Sequence, residues 1–480
     1  MTNLQDAAYA ATVGGEDFAA DETFEVLNPA TEEVVGHAPV IDASRLDDVF
    51  AAASRALPAW QRSDDGRREA LRAAADAIDA ESAALSRLLT QEQGKPLAQA
   101  EREFSAASEW LRYYAGLDIS PEVIRDDEDR YEVVHRRPLG VVSAITPWNS
   151  PIALAMWKIA PALRAGNSMV LKPSPFTPLS TLAMAQLLRG ILPDGVLNVV
   201  TGPEPLGAAM ISHPVPRKIS FTGSTAIGIK VAQAAADDLK RLTLELGGND
   251  PAIVLADADV SKIAEDLYWS GFRNCGQICL AAKRIYVAEP LRASLTEALA
   301  DIARSTTVGN GLDEGVQLGP LNNRPQLSRV SDLVEDALRH GGRAVTGATR
   351  PDRAGYFYEP TIIDNVSDGV ALVDEEQFGP AMPIISFSDE REVVAMANRS
   401  PYGLTASVWS SDVDHALEVA AGIDSGQVAV NAHGRGVVAH LPFGGHKLSG
   451  VGVENGPWGL DSFLQLQAIT APGRRAGIAV

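Results

Sequence analysis

The chain has 480 residues, 46% of them hydrophobic and 21% charged, enough for two or three domains with cores of their own. Its 62 acidic and 41 basic side chains leave a net charge of −21, which argues against nucleic acid or an anionic membrane as partner, because phosphate binding needs clustered cations. Two cysteines do not make a disulfide framework, and the N-terminus has neither the basic nor the apolar segment of a signal peptide, so a reducing, cytoplasmic setting is expected.

From about residue 43 to 116 the apolar spacing is helical, as in SRLDDVFAAASRALPAW and REALRAAADAIDAESAALSRLLT. The charged stretch 120–137, SPEVIRDDEDRYEVVHRR, breaks that rhythm and predicts a protruding hairpin. Short apolar strands then alternate with helices: VVSAIT (141–146), SMVLKP (168–173), GVLNVVTG (195–202), KISFTG (218–223), RLTLEL (241–246) and PAIVLAD (251–257). The apolar helix after the first of them, IALAMWKIAPALRAG, is interrupted by Lys158 and Arg164 and is too short to cross a bilayer. After PAIVLAD the alternation restarts with KRIYVAEP, the helix SRVSDLVEDALRHGG, PIISFSD and GQVAVN. This pattern predicts an α/β fold of two domains, each a parallel sheet covered on both faces, with a boundary near residue 247. The glycine-rich SGVGVENG follows no strand and reads as a loop.

In an open α/β sheet, ligands bind beyond the carboxyl ends of the strands. Four such tips carry chemistry: PWNSP with Asn149, KPSP with Lys172, TGSTAIG with Gly223 and Ser224, and ELGGND with Glu245. A Gly-Ser turn that enters a helix directly after a strand suits a pyrophosphate, since the helix start presents free N–H groups. It is neither a Walker loop nor a GxGxxG. Lysine is scarce, nine residues against 32 arginines, which makes Lys172 conspicuous. Read singly, these residues are nonetheless a solvated cation, a turn-forming amide and a surface acid. Cys279 in FRNCGQICLAAKR is, by itself, more simply a small buried thiol than a nucleophile, and Cys275 reads the same way. A free cysteine, with a pKa of about 8.5, is only a few per cent thiolate at neutrality. A reactive one needs help from a positive nicotinamide ring, a helix N-terminus or a base such as Glu245. No histidine stands close to Cys279 in the chain, so a Cys-His hydrolase has no supporting motif.

Together, ITPWNSP, LKPSP, FTGSTAIG, LELGGNDPAIV, NCGQICLA, EEQFGPAMPI, NRSPYGLTASVW and PFGGHKLSGVGVENG stand in the order and spacing of the NAD(P)-dependent aldehyde dehydrogenase superfamily. The chain resembles that family from about residue 25 to its C-terminus. The resemblance implies a non-acylating enzyme that oxidises an aldehyde to the carboxylic acid. Cys279 would attack the carbonyl to give a thiohemiacetal, hydride transfer to the nicotinamide would leave a thioester, and Glu245 would activate the water that hydrolyses it. Asn149 and the Cys279 N–H would form the oxyanion hole, where such donors are typically worth about 3–4 kcal/mol. It also implies a Rossmann-type cofactor domain (1–118 and 139–247), an α/β catalytic domain (248–455) and a small bridging β element (119–138 and 456–480) that mediates a homodimer or homotetramer.

For the cofactor, Ile145, Thr146, Pro147 and Trp148 would line the cleft with Phe221, Leu246 and Gly247. Lys172 would bond the adenosine ribose, beside Ser174, Pro175 and Gly207, and Gly223 and Ser224 would meet the pyrophosphate. Glu376 would hold the nicotinamide ribose with Phe378 nearby. Many NAD-preferring relatives carry a glutamate three residues after the lysine; here it is Pro175, which leaves NAD against NADP open, with NAD favoured as the commoner. Ser150, Ala153, Leu154, Trp157, Ile278, Leu280 and Phe443 would line a mostly apolar, open substrate channel. His433, Arg435 and His440 lie on a loop that borders substrate in the family, either to recognise a polar substituent or as plain loop surface, and Glu454 matches a second acid assigned to proton relay. No metal is implied. The alternatives are the CoA-acylating branch, which generally lacks the base matched here by Glu245, and a catalytically silent dinucleotide-binding relative.

Overall fold

In the computed structural model, which describes residues 9–434 and 437–473, two large sheets meet where the chain passes from one to the other between Glu245 and Asp250. The first sheet is ordered Glu16–Phe18, Ala11–Val13, Leu197–Val199, Ser168–Lys172, Val141–Ile145, Lys218–Thr222, Arg241–Glu245 and Gly450–Val451. Its five central strands are parallel and its outer ones antiparallel. The central strands read as near-continuous apolar runs because helices cover both faces. From Val141–Ile145 the chain winds one way to Ser168–Lys172 and Leu197–Val199, then the other way to Lys218–Thr222 and Arg241–Glu245. The crevice between Val141–Ile145 and Lys218–Thr222 is therefore the switch point at which such sheets bind ligands.

The second sheet is ordered Arg343–Thr346, Thr361–Asp364, Ala381–Phe387, Ala282–Ala288, Asp250–Val254, Thr405–Trp409 and Gln427–Val430, all parallel except the first pair. The helical stretch near the N-terminus forms Leu46–Trp60, Asp64–Gln93 and Leu97–Gly116. Asp64–Gln93 starts under Ser63, whose hydroxyl accepts from the Gly66 N–H, and stops at Gly94, which takes the left-handed φ of 98°. The predicted hairpin is Glu122–Asp126 with Arg130–Pro138, and Leu464–Pro472 lies antiparallel to its second strand.

One expectation changes. Within SGVGVENG, Gly450–Val451 is a short strand that closes the edge of the first sheet against Leu244 and Glu245, too short to leave a period in the sequence. Lys158 and Arg164, which interrupt an apolar helix on paper, are fully buried and paired, Lys158 with Glu454 at 2.5 Å and Arg164 with Asp64 at 2.5 Å. Among the described residues no helix is long and apolar enough to cross a membrane.

Candidate active site

One cavity of about 890 Å³ opens at the switch point and gathers strand tips from both sheets. Ile145, Thr146, Pro147, Trp148 and Asn149 line it from one strand, Lys172, Ser174 and Pro175 from the next, and Phe221, Gly223, Ser224, Leu246 and Gly247 from the last two. Cys279, Glu376 and Phe378 reach it from the second sheet, where Trp148 and Phe378 meet edge to face at 5.4 Å. The apolar helices Glu204–Ser212 and Thr225–Ala235 wall the rest, contributing Gly207, Ala208, Ile211, Ile227 and Val231.

The lining fits a dinucleotide. Lys172 is 3% exposed, and the acceptor its ammonium meets is the Pro173 carbonyl at 3.4 Å; burial lowers its pKa while Glu204 pulls it back up. A side chain at Gly223 would strike the Phe221 ring, so that glycine keeps the cradle open, while a Cβ at Gly207 would only reach ordinary contact with Ile145 and Lys172. Ser224 caps Thr225–Ala235 by accepting from Ile227 N–H, which aims the helix start at the cavity. Glu376 Oε1 accepts from Gly248 N–H at 3.1 Å.

Cys279 follows an unusual turn. Asn274, Cys275 and Gly276 take left-handed φ of 51°, 57° and 72° in succession, which costs about 1–2 kcal/mol for each non-glycine residue. Gly276 is required there, because a Cβ would collide with the Gly379 carbonyl. Asn274 holds the turn: its N–H donates to Gln99 Oε1 at 3.0 Å, and its side-chain amide to the Asn149 carbonyl at 2.9 Å. Cys275 stays an inert core thiol, fully buried and pushed far above its ordinary pKa by that burial. Cys279 keeps a face on the cavity, yet its recessed thiol is pushed up to about 12, chiefly by burial. Lys283 opposes that shift, while Glu376, Asp250 and Glu245 add to it. The thiol therefore gains no helix N-terminus; the strand Ala282–Ala288 follows it.

Asn149 is 3% exposed and donates its amide to the Gln277 carbonyl at 3.0 Å, which leaves its second amide hydrogen for another acceptor. Glu245 closes its strand beyond the cavity wall, buried, with neither carboxylate oxygen partnered among the described residues. Burial raises its pKa well above the ordinary value, Glu454 adds to the rise and Lys158 opposes it. Glu454 spends one oxygen on Lys158 and, at 3.3 Å, on the Ser220 hydroxyl; its second has no partner among the described residues.

The Aldehyde dehydrogenase family profile matches residues 18–469. The chain belongs to the aldehyde dehydrogenase family. It is 39% identical over 467 residues to the succinate-semialdehyde dehydrogenase (NADP(+)) GabD of Escherichia coli strain K12, covering 95% of this chain and 96% of that one. It is equally 39% identical to the glutarate-semialdehyde dehydrogenase of Pseudomonas putida, with 95% and 96% covered. Its structure superposes on the NAD+ complex of the Bacillus cereus aldehyde dehydrogenase with a TM-score of 0.95 at 33% identity, over 98% of this chain and 97% of that one.

In this aldehyde dehydrogenase, the residues expected to line the substrate channel stand outside the dinucleotide cavity. Leu154, Trp157 and Phe443 lie in one buried apolar cluster on which Cys279 and Leu280 pack, and Trp157 meets Phe443 edge to face at 5.1 Å. Ser150, Ala153 and Ile278 are half-buried around them. His433 departs from expectation. It is 2% exposed, and its ring nitrogens meet Ser407 Oγ at 2.8 Å and Thr405 Oγ1 at 3.4 Å, so it is a core residue of the second sheet and not a channel lining. Burial drives its pKa down to about 3, which keeps it neutral. Arg435 lies outside the described residues, and His440 is exposed.

Sequence reading missed the supports of Asn149. Lys95, 3% exposed, donates to the Asn149 carbonyl at 2.9 Å and pairs with buried Glu103. Glu103 in turn accepts from the N–H groups of Ile152 and Ala153, at 2.9 and 3.0 Å, and so caps the helix Pro151–Arg164 that follows the Asn149 loop. Three residues upstream of Lys95, Glu92 caps Leu179–Leu187 through the Leu179 and Ser180 N–H groups. The signal available was the scarcity of lysine, because six of the nine, Lys95 among them, are buried, so here a lysine marks an interior site. Lys95→Met leaves Glu103 buried without its counter-ion, and a chemical-denaturation midpoint is expected to record a loss of about 3–5 kcal/mol.

Proposed function

We propose that this aldehyde dehydrogenase oxidises an aldehyde with an apolar chain to its carboxylic acid at Cys279, taking NADP+ as well as NAD+. The observation that carries the reading is that Cys279, Asn149 and Glu376 face the same cavity as the Lys172 and Ser224 cradle. Lys172 and Ser174 would hold the adenosine ribose, the Ser224 helix start the pyrophosphate and Glu376 the nicotinamide ribose. A nicotinamide dinucleotide bound there supplies the hydride acceptor.

The residues of the chain do the remaining work. The Cys279 sulfur bonds to the carbonyl carbon and gives up its proton to Glu245, which passes it to solvent, while the π electrons move to oxygen and make a thiohemiacetal oxyanion. Asn149 supplies that oxygen with the amide hydrogen not used by Gln277, and the Cys279 N–H the other donor. Loss of hydride restores the carbonyl as a thioester. Glu245 then takes a proton from water, the hydroxide adds, and the C–S bond breaks to release acid and thiolate. The raised pKa of Glu245 suits that task, since a base matched to near-neutral pH accepts a proton readily.

The apolar cluster of Leu154, Trp157, Leu280 and Phe443 supports an apolar substrate chain. Rates over a panel of aliphatic, aromatic and semialdehyde substrates test it, and kcat/KM for succinate semialdehyde above that for hexanal would overturn it. At the ribose, Pro175 offers no carboxylate to repel a 2′-phosphate, and Lys230 lines the same cavity. Like-charge juxtaposition costs several kcal/mol, so Pro175→Glu is expected to lower kcat/KM for NADP+ about a hundredfold and to spare NAD+. A wild-type protein that turns over with NAD+ alone would sink the NADP+ part. We also propose a cytoplasmic homodimer or homotetramer built across the three-stranded sheet, where Val123, Ile124, Leu466 and Ile469 are exposed.

A further inference from the structure

Lys283 is the second residue of Ala282–Ala288 and lies four residues beyond Cys279, next to Arg284. As the dipeptide Lys-Arg it looks like surface, yet its side chain is 2% exposed. The ammonium donates to the carbonyls of Ile278 at 2.8 Å and Cys279 at 2.5 Å, stands 3.5 Å from Glu376 Oε1, and lies 5.9 Å from the centre of the Phe378 ring. It thus joins the backbone of the thiol residue to the carboxylate at the cofactor cleft. We propose that Lys283 is a positioning residue for both: one buried ammonium fixes Cys279 relative to Glu376 and supplies the cation against which the thiolate forms.

The charge balance around the thiol supports this. Asp250 faces it from the adjacent strand Asp250–Val254, Glu245 from the first sheet and Glu376 from the loop ahead of Ala381–Phe387, and all three carboxylates push the thiol up. Lys283 is the group that pulls it down. The same charge lowers Asp250 and Glu376 against the rise that burial imposes on them, and together with Arg273 it disfavours protonation of His433. Arg329 adds a weaker pull on Glu376. A cation at this point therefore acts on the thiol and on the cofactor acid at once, through short hydrogen bonds whose geometry a rigid strand fixes.

The inference rests on the reading of Cys279 as nucleophile and Glu376 as cofactor acid. Its test is the rate at which iodoacetamide alkylates Cys279 in the dinucleotide-free full chain, with peptide mapping to separate Cys275. Removing one nearby charge moves a titrating group by about one unit or more, so Lys283→Met is expected to alkylate about tenfold more slowly at every pH between about 7 and 9. It should also raise KM for the dinucleotide more than it lowers kcat. Lys283→Arg keeps the charge and is expected to alkylate within about threefold of wild type. A Met variant, or a Gln variant if Met does not accumulate folded, that alkylates at the wild-type rate overturns the proposal. A tenfold fall in the Arg variant overturns it equally, because the charge would then not be what matters. Alkylation of Cys279 that leaves oxidation intact would instead remove the nucleophile reading beneath it.

Discussion

Cys279→Ser is expected to abolish aldehyde oxidation, with kcat/KM falling by about a thousandfold or more, while dinucleotide affinity stays within about threefold of wild type. The expectation follows from where the sulfur stands. Burial and three carboxylates already hold a thiol at about 12 there, and a hydroxyl ionises far less readily than a thiol, so its alkoxide is out of reach under the same charges. The serine side chain is nearly isosteric and sits after the strained Asn274–Gly276 turn without altering it, so the cradle formed by Lys172, Ser224 and Glu376 is untouched. Steady-state rates and dinucleotide titration on the same preparation separate the two effects. Oxidation within about tenfold of wild type would show that another group attacks the aldehyde, and would leave Cys279 a channel lining.

Glu245→Gln is expected to divide the reaction at its midpoint. The thioester forms, one equivalent of reduced dinucleotide appears per site, and turnover then slows by about 10²–10⁴-fold, the span of general-base catalysis. Mass spectrometry of the quenched protein should find the acyl group on the Cys279 peptide. The sign of the pH dependence follows from the raised pKa of Glu245. A base works deprotonated, so wild-type deacylation should fall as pH drops through that raised value, and the variant should lose this limb. Both carboxylate oxygens are already without a partner there among the described residues, so a glutamine amide exchanges one unsatisfied buried group for another and thermal denaturation should show little change, which separates the burst from a folding defect. A variant that releases acid at the wild-type rate would take the base role from Glu245.

The strand tips were legible because their signals are local: an apolar strand, then a turn of glycine, serine or proline, repeated along the chain. Asn149, Lys172, Ser224 and Glu245 could be named for that reason, although singly each had a plainer reading; Cys279 stood out as one of two cysteines, and its role, like that of Glu376, was implied only by the family resemblance. What stayed hidden was interior charge. Lys95 reaches Asn149 across 54 positions and Glu103 reaches Ile152 across 49, so neither leaves a periodicity or a motif. Lys283 lies four residues past the nucleophile at the start of an apolar strand, and no spacing there marks its ammonium as buried. His433 failed for the opposite reason. A histidine on a glycine-flanked loop reads as available, whereas its ring is taken by Ser407 and Thr405, hydroxyls on a strand whose inward faces no spacing rule could assign to it.

The crossing between the two sheets takes four residues, Leu246 to Asn249, between Glu245 and Asp250. Its glycines have no slack: a Cβ on Gly247 would stand 2.6 Å from Glu376 Oε2, and one on Gly248 2.7 Å from the Cys279 carbonyl. For anyone recombining halves from different family members, this is the natural seam by sequence and the worst one by contact. A splice there exchanges Glu376 and Cys279 while keeping the backbone they are moulded to. Hybrids would need to carry residues 245–250, 276–283 and 376–379 as one inherited block, wherever else the parents are mixed.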